Sequence, residues 1–421
     1  MTHLLSVTSP LPRLNFNQRR RRRRSVTGAT RRADSSLQPT DENGWQISVI
    51  IVPALLSAST LLSVVFILWR LFWRKREKKP DAGDARDGDW AVNMGGVYDD
   101  PLGAPDPTLE IKQLPRDWRI EDRAVLCVGH FGPISRAVLV GKGEERREVI
   151  LKELSESCSP GEVQDFMDLL KFYNEVCDHG GVVRMLWCQT EAPPTCLIME
   201  AMTLGNLLLF LRESHEEGVT DPPSAVWSIT ERDVFSMATQ VAGGLEYLGG
   251  AHGLVHGYVA ACNVLLHEDM SVRLCGLGLA SVQHRTGSFP TRRAARVPVK
   301  WQSPERLREA SVTEKSDVWS FGIFLYEMVT LGAPPYPDVD PAKIPKTLKK
   351  NYKMAKPRQC GERLYDVMTS CWQWEELKRP CFTDLLKQLQ SFSAEADGSA
   401  PLGATDTLSW AEYLRVAGIP S

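Results

Sequence analysis

No cysteine occurs before Cys127, although the chain has ten. Their spacing shows neither a zinc pattern nor a paired disulfide framework, and scattered thiols in a large domain suit a reducing cytosol. Net charge is nearly absent as well. At −2, the balance gives no reason to expect a nucleic-acid partner. No aspartate or glutamate precedes Asp34, no charge of either sign falls in residues 47–69, and no tyrosine lies in residues 276–304. With 421 residues the chain has room for two or three domains, or one large domain with appendages.

The uncharged stretch 47–69 is rich in Leu, Ile, Val and Ser, with Pro53 in its first third. A helix that long covers roughly 35 Å, enough for the hydrocarbon core of a bilayer. Trp45, Trp69 and Trp73 stand at its ends, as interfacial anchors do. It is expected to be a transmembrane helix; a buried core helix seldom runs so long without a polar stripe. Arg70, Arg74, Lys75, Arg76, Lys78 and Lys79 follow at once. The positive-inside rule therefore places the bulk of the chain in the cytosol, with the basic cluster against anionic lipid head groups. The run Arg19–Arg24 argues the other way from a greater distance. Residues 1–46 are too few and too polar to fold as an ectodomain, and their Arg-rich, acid-poor start leaves a transit-like peptide as an alternative. Residues 70–117 begin basic and continue Asp/Gly/Pro-rich without apolar periodicity, as a flexible tether does. Tyr98 within it is a candidate modification site, though a linker tyrosine is more often inert.

From 118 to 392 the pattern turns globular. Residues 125–140 alternate apolar and polar, turn at Gly141-Lys142-Gly143, and return at 149–154, a hairpin signature. Residues 163–176, 234–248, 316–331, 364–374 and 382–389 have helical apolar spacing, and 196–199 reads as a short strand. Strands first and helices after suggest a two-lobed α+β domain. In the tail, 393–421, residues 408–419 place Trp410, Tyr413, Leu414 and Val416 on one face of a short helix, suited to docking on the domain or on a partner. Tyr413-Leu414-Arg415-Val416 also fits a Y-x-x-apolar adaptor pattern.

Three motifs then occur in order: VPVKWQSPERL ending at Leu307, DVWSFGIFLYEMVTLGAPPYP from Asp317, and CWQWEELKRP from Cys371. Together they resemble the large lobe of protein tyrosine kinases, and the resemblance covers about two-thirds of the chain. The short outer segment, single span, basic stretch and YLRVAGI tail are similar to a single-pass member of that family. The resemblance implies a bilobal kinase-like α+β fold and a set of positions for chemistry. The glycine-rich loop falls on CVGHFGPI, keeping Gly129, Phe131 and Gly132 but placing Cys127 at the first glycine. Lys152 in VILK matches the phosphate-binding lysine. Its helix partner, a glutamate in the family, is Leu169. In the hinge LIMEAMTLGNL, Met199 matches the gatekeeper, and the backbone of Glu200 and Met202 would bond an adenine edge.

The catalytic loop HGYVAACN aligns with the family's HRDLAARN. His256 and Asn263 remain. Gly257 stands where the family has Arg, Tyr258 where it has the general base, and Cys262 where it has the second Arg. A neutral tyrosine is a poor base, its ring is larger than the site, and loss of a positioned base costs about 10²–10⁴ in rate. In LCGLGLA the Mg²⁺-binding Asp is replaced by Gly276, which has no ligand to offer a hard cation. No other carboxylate of that loop stands in its place. The activation segment lacks tyrosine but has Ser281, Thr286, Ser288 and Thr291 near Arg292 and Arg293, so Ser288 and Thr291 are candidates for a basic-directed kinase. By contrast Glu305, Asp317 and Arg379 match the family's framework residues. The expectation is a pseudokinase that scaffolds or allosterically regulates signalling proteins, alone or as a homo- or hetero-oligomer. It would hold ATP without Mg²⁺, if at all, and no structural metal. The alternative is an active tyrosine kinase with degenerate motifs.

Overall fold

In the computed structural model, residues 111–213, 228–403 and 408–419 are described. The expected span 47–69, residues 1–46 and residues 70–110, Tyr98 among them, lie outside the described residues. The end of the expected tether, 111–117, is described, and there it is held rather than free: Leu114 N donates to the Cys188 carbonyl at 2.7 Å. Among the described residues, no helix is long and apolar enough to cross a membrane.

The small lobe is an antiparallel sheet with strand order β1-β2-β3-β5-β4. Its strands are β1 (Arg119–Val128), β2 (Pro133–Val140), β3 (Arg146–Glu153), β4 (Met185–Gln189) and β5 (Cys196–Glu200). Alternation sends Ala137, Leu139, Val149 and Leu151 into an apolar layer where each is fully buried. The run 125–140, read from sequence as one alternating strand, is two. Gly129 N–H donates to the Gly132 carbonyl at 2.7 Å and closes the chain on itself between β1 and β2. Helix α1 (Pro160–Val176) starts where Ser159 and Glu162 form a reciprocal capping box and Pro160 fits the first turn. Phe166, Leu170 and Tyr173 recur along one face and are buried between helix and sheet.

The large lobe is helical. Helix α2 (Leu207–Glu213) follows the hinge, and α3 (Glu231–His252) is capped by Thr230 and ended by left-handed Gly253. Strands β6 (Gly205–Asn206), β7 (Val264–Leu266) and β8 (Val272–Leu274) form a small sheet. Helix α4 (Gly278–Thr286) lies in the activation segment, where no helix was expected. Helix α5 (Glu314–Val329) is buried from Ser316 to Val329, as a central helix apolar all round should be. Helices α6 (Glu362–Cys371), α7 (Phe382–Glu395) and α8 (Trp410–Ala417) complete the lobe. The bilobal α+β architecture is thus the one the residue pattern implies.

Candidate active site

The glycine loop is tied down rather than extended. Phe131 packs edge-on against Phe166 of α1 at 5.3 Å. Its carbonyl accepts from Ser155 N at 2.8 Å and Cys158 Sγ at 3.3 Å. Cys127 pairs with Ile134 at the end of the β1–β2 ladder. Lys152 on β3 donates to the Tyr173 hydroxyl at 3.3 Å and lies 5.3 Å from that ring's centroid. Burial lowers the Lys152 pKa and the facing Tyr173 raises it; the net direction is upward, so the ammonium is kept. Leu169 lies one turn before Tyr173 and packs in the apolar cluster with Phe131, Ile150 and Leu154. The acids of α1 are engaged elsewhere: Asp168 accepts from Gln164 at 3.0 Å, while Asp165 and Glu175 pair with Arg285 and His284 of α4 at 3.3 and 3.0 Å. The lysine therefore has a neutral phenol from α1 in place of a carboxylate.

In the hinge, Met199 is buried under the sheet and the Glu200 carboxylate accepts from Arg184 N at 2.7 Å. The Met202 carbonyl accepts from Gly205 N at 3.0 Å in a turn leading into β6.

His256 is fully buried. Its Nδ1 accepts from Tyr258 N at 3.2 Å, which fixes the tautomer so that Nε2–H donates to the Cys275 carbonyl at 2.8 Å. Burial pulls its pKa down to about 4, so the ring is neutral. Asp317 on α5 accepts from His256 N at 2.7 Å and Gly257 N at 2.8 Å, holding the loop backbone. Burial nonetheless raises Asp317 to about 7 against those bonds. Gly257 has φ +77°, and a Cβ there would sit 2.3 Å from Phe289 Cζ. Phe289 of the activation segment thus fills the place of a side chain at 257. Arg306 lies 5.0 Å from the Phe289 ring centroid and donates to the Gly257 carbonyl.

Tyr258 does not crowd the site, which corrects the expectation drawn from its size. Its ring turns into the large-lobe core, 4% exposed and edge-on to Trp301 at 6.0 Å. Cys262 Sγ donates to its hydroxyl at 3.5 Å. Burial raises its pKa well above the usual phenol value. A neutral, buried hydroxyl cannot collect a proton from a substrate in the cleft.

The metal seat is filled by the protein itself. Asn263 donates through Nδ2 to the Tyr258 carbonyl at 2.9 Å. Gly276 has φ +75°, and a Cβ built there would lie 2.4 Å from Asn263 Oδ1. A side chain at 276 would be strained by the left-handed backbone and would require the Asn263 amide to move aside. The residues present do not fit Mg²⁺. Among the described residues no group of three or more His, Cys, Asp or Glu is placed to hold a metal ion.

The framework has a different character. Arg379 donates to both Glu305 oxygens at 2.8 Å, and Ser316 Oγ adds a bond of 2.7 Å. Burial alone would raise the Glu305 pKa; the guanidinium and hydroxyls more than offset it and hold the carboxyl down at about 2.

The sequence matches the family described as protein tyrosine and serine/threonine kinase over residues 120–389. The chain belongs to that kinase family. It is 36% identical to human tyrosine-protein kinase STYK1 over 392 residues, which is 89% of this chain and 92% of that protein. The mouse protein of the same name is 33% identical over 393 residues, 89% and 91% of the two chains. The tyrosine kinase receptor Cad96Ca of Drosophila melanogaster is 32% identical over 282 residues, 66% of this chain and 36% of the receptor.

Within this kinase-family domain, four residues that bear on the site escaped sequence reasoning. Tyr173 was open to detection, because it stands at i+4 from Leu169 and so shares its face of α1. Phe289 and Arg306 gave no local signal; only the backbone path of the activation segment brings them to Gly257. Glu327 hid within an apolar helix. It is fully buried, and its Oε2 accepts from Ala261 N at 3.0 Å and Trp301 Nε1 at 3.1 Å. Its Oε1 has no partner among the described residues, and burial pushes its pKa up to about 8.

Proposed function

We propose that this kinase-family protein is a membrane-anchored pseudokinase that works by binding signalling proteins rather than by transferring phosphate. The main support is the seat at Gly276, where no side chain is present to hold a metal ion and a Cβ would fall against the Asn263 amide. The inward turn of Tyr258 and the phenol partner of Lys152 point the same way. Residues 47–69 would anchor the domain in a membrane, with the basic residues after them against anionic lipids on the cytosolic side. Lys152, together with hinge backbone at Glu200 and Met202, would hold the phosphates and adenine of ATP without Mg²⁺. The resemblance to tyrosine kinases suggests partners in growth and survival signalling, met as a homo- or hetero-oligomer.

Two measurements on the full chain in nanodiscs test this reading. A phosphotransfer assay on a tyrosine peptide should give no product above a Lys152→Met control. Lys152-dependent transfer would sink the pseudokinase reading and establish the competing one, an active tyrosine kinase with altered motifs. Thermal melts with ATP should shift equally with and without Mg²⁺, and no shift in either would remove the nucleotide from the proposal.

A further inference from the structure

The tail helix α8 is docked on the large lobe through its tyrosine. Tyr413 is 1% exposed, and Ala417 and Ile419 are buried beside it. Trp410 stacks on Tyr413 at 5.3 Å with an interplanar angle of 8°. Arg212 of α2 lies over both rings, at 4.9 Å from Tyr413 and 5.9 Å from Trp410, and donates to the Leu408 carbonyl. Burial raises the Tyr413 pKa well above the usual phenol value; nearby Glu327 and Cys262 act in the same direction and Arg212 opposes them. In kinases resembling this chain an arginine stands at position 262; here the tail tyrosine and the Cys262 thiol share the neighbourhood of Glu327.

We propose that Tyr413 is a phosphorylation site whose modification by a separate tyrosine kinase releases α8 and prevents its return. The helix has eight residues, too few to stay folded in water once undocked. A released tail therefore presents Tyr413 and the following Leu414-Arg415-Val416 as an extended peptide. In the transfer, the Tyr413 hydroxyl oxygen bonds to the γ-phosphorus of ATP held by that kinase. The bond from the γ-phosphorus to the bridging oxygen breaks, ADP leaves, and the hydroxyl proton passes to that kinase's base. The phosphate carries about −1.5 to −2 charge. A group of that size and charge cannot re-enter a seat in which Tyr413 is only 1% exposed. The phosphotyrosine then remains outside, available to a phosphotyrosine-reading domain. The proposal is independent of any activity of this chain itself.

The test incubates the full chain with ATP, Mg²⁺ and the catalytic domain of a broad-specificity tyrosine kinase. Phosphate on Tyr413 is followed by mass spectrometry, and amide hydrogen exchange is read over 408–419 and over α5. Wild type should be modified slowly. Arg212→Ala and Trp410→Ala, which loosen the seat by different routes, should each be modified about tenfold faster. Once phosphorylated, the wild-type chain should lose protection in 408–419 while α5 keeps its own. No phosphate at Tyr413 in any of the three proteins overturns the proposal, as does a phosphorylated chain whose tail stays protected. Loss of protection in α5 along with the tail also overturns it, because the helix would then be a fixed part of the lobe rather than a releasable one.

Discussion

Glu305 and Glu327 are both buried carboxylates of the large lobe, 4% and 0% exposed, and they fare in opposite ways. Glu305 is gripped on both oxygens by Arg379 and is held at about 2. Glu327 has two donors on one oxygen and none on the other, and rises to about 8. Burial acts upward on both; what differs is whether a cation answers it. Glu305 closes the framework beneath the activation segment. Glu327 faces the catalytic loop, where Cys262 stands in place of an arginine. Charge pairing is complete in the framework and has lapsed around the loop.

The largest expected effect lies on the framework side. Arg379→Ala strands Glu305 in the core and should cost about 3–5 kcal/mol in urea unfolding. A loss below about 1 kcal/mol would show that the two carboxylates are not different in kind. Next come the reversions Tyr258→Asp and Gly276→Asp. Each should destabilise the domain by about 2 kcal/mol or more, the first by burying an unpaired carboxyl and the second by forcing a Cβ onto a left-handed backbone. Neither alone should produce phosphotransfer, and a working kinase from Tyr258→Asp by itself would mean that the metal-binding segment has been misplaced.

A pH series sharpens the comparison further. In the folded chain Glu327 is raised to about 8, above the ordinary 4.5 of a glutamate. Its contribution to stability is thus full below about 4.5 and is lost as pH rises through about 8. Glu305 runs the other way: its contribution is present above about 4.5 and is lost as pH falls through about 2. Glu327→Gln should therefore reduce the fall in stability between pH 5 and pH 8.5. Asp317, raised to about 7, leaves a residual slope in the same window. An unchanged slope in the variant would show Glu327 to be charged when folded. The smallest effect is expected in the small lobe, where Tyr173→Phe removes one hydrogen bond to Lys152 and keeps the ring beneath it. A loss of about 1 kcal/mol or less in the melting curve is expected, and a larger one would make Tyr173 a structural equal of the framework pairs.

The motifs made the fold legible, because long helices with strong apolar spacing and the three large-lobe signatures depend only on local residue order. The positions of Lys152, Asn263, Glu305, Asp317 and Arg379 could be read in the same way. The helix α4 could not. Its sequence, GLASVQHRT, has no side-chain cap at its start and only modest apolar spacing; it is held by contacts with α1 far away in the chain. The orientation of Tyr258 was equally hidden, since its neighbours Trp301, Glu327 and Tyr413 come from three distant segments.

Sequence alone determined what this chain lacks: a base at 258, a carboxylate at 276 and an acid at 169, since a missing functional group is missing in every conformation. Only the tertiary structure decided what took their places. A Cβ-free, left-handed Gly276 admits the Asn263 amide, Gly257 admits Phe289, and Tyr258 finds more apolar contact in the core than in the cleft. Those outcomes depend on which distant surfaces meet when the lobe packs, and close packing leaves no vacated position unfilled.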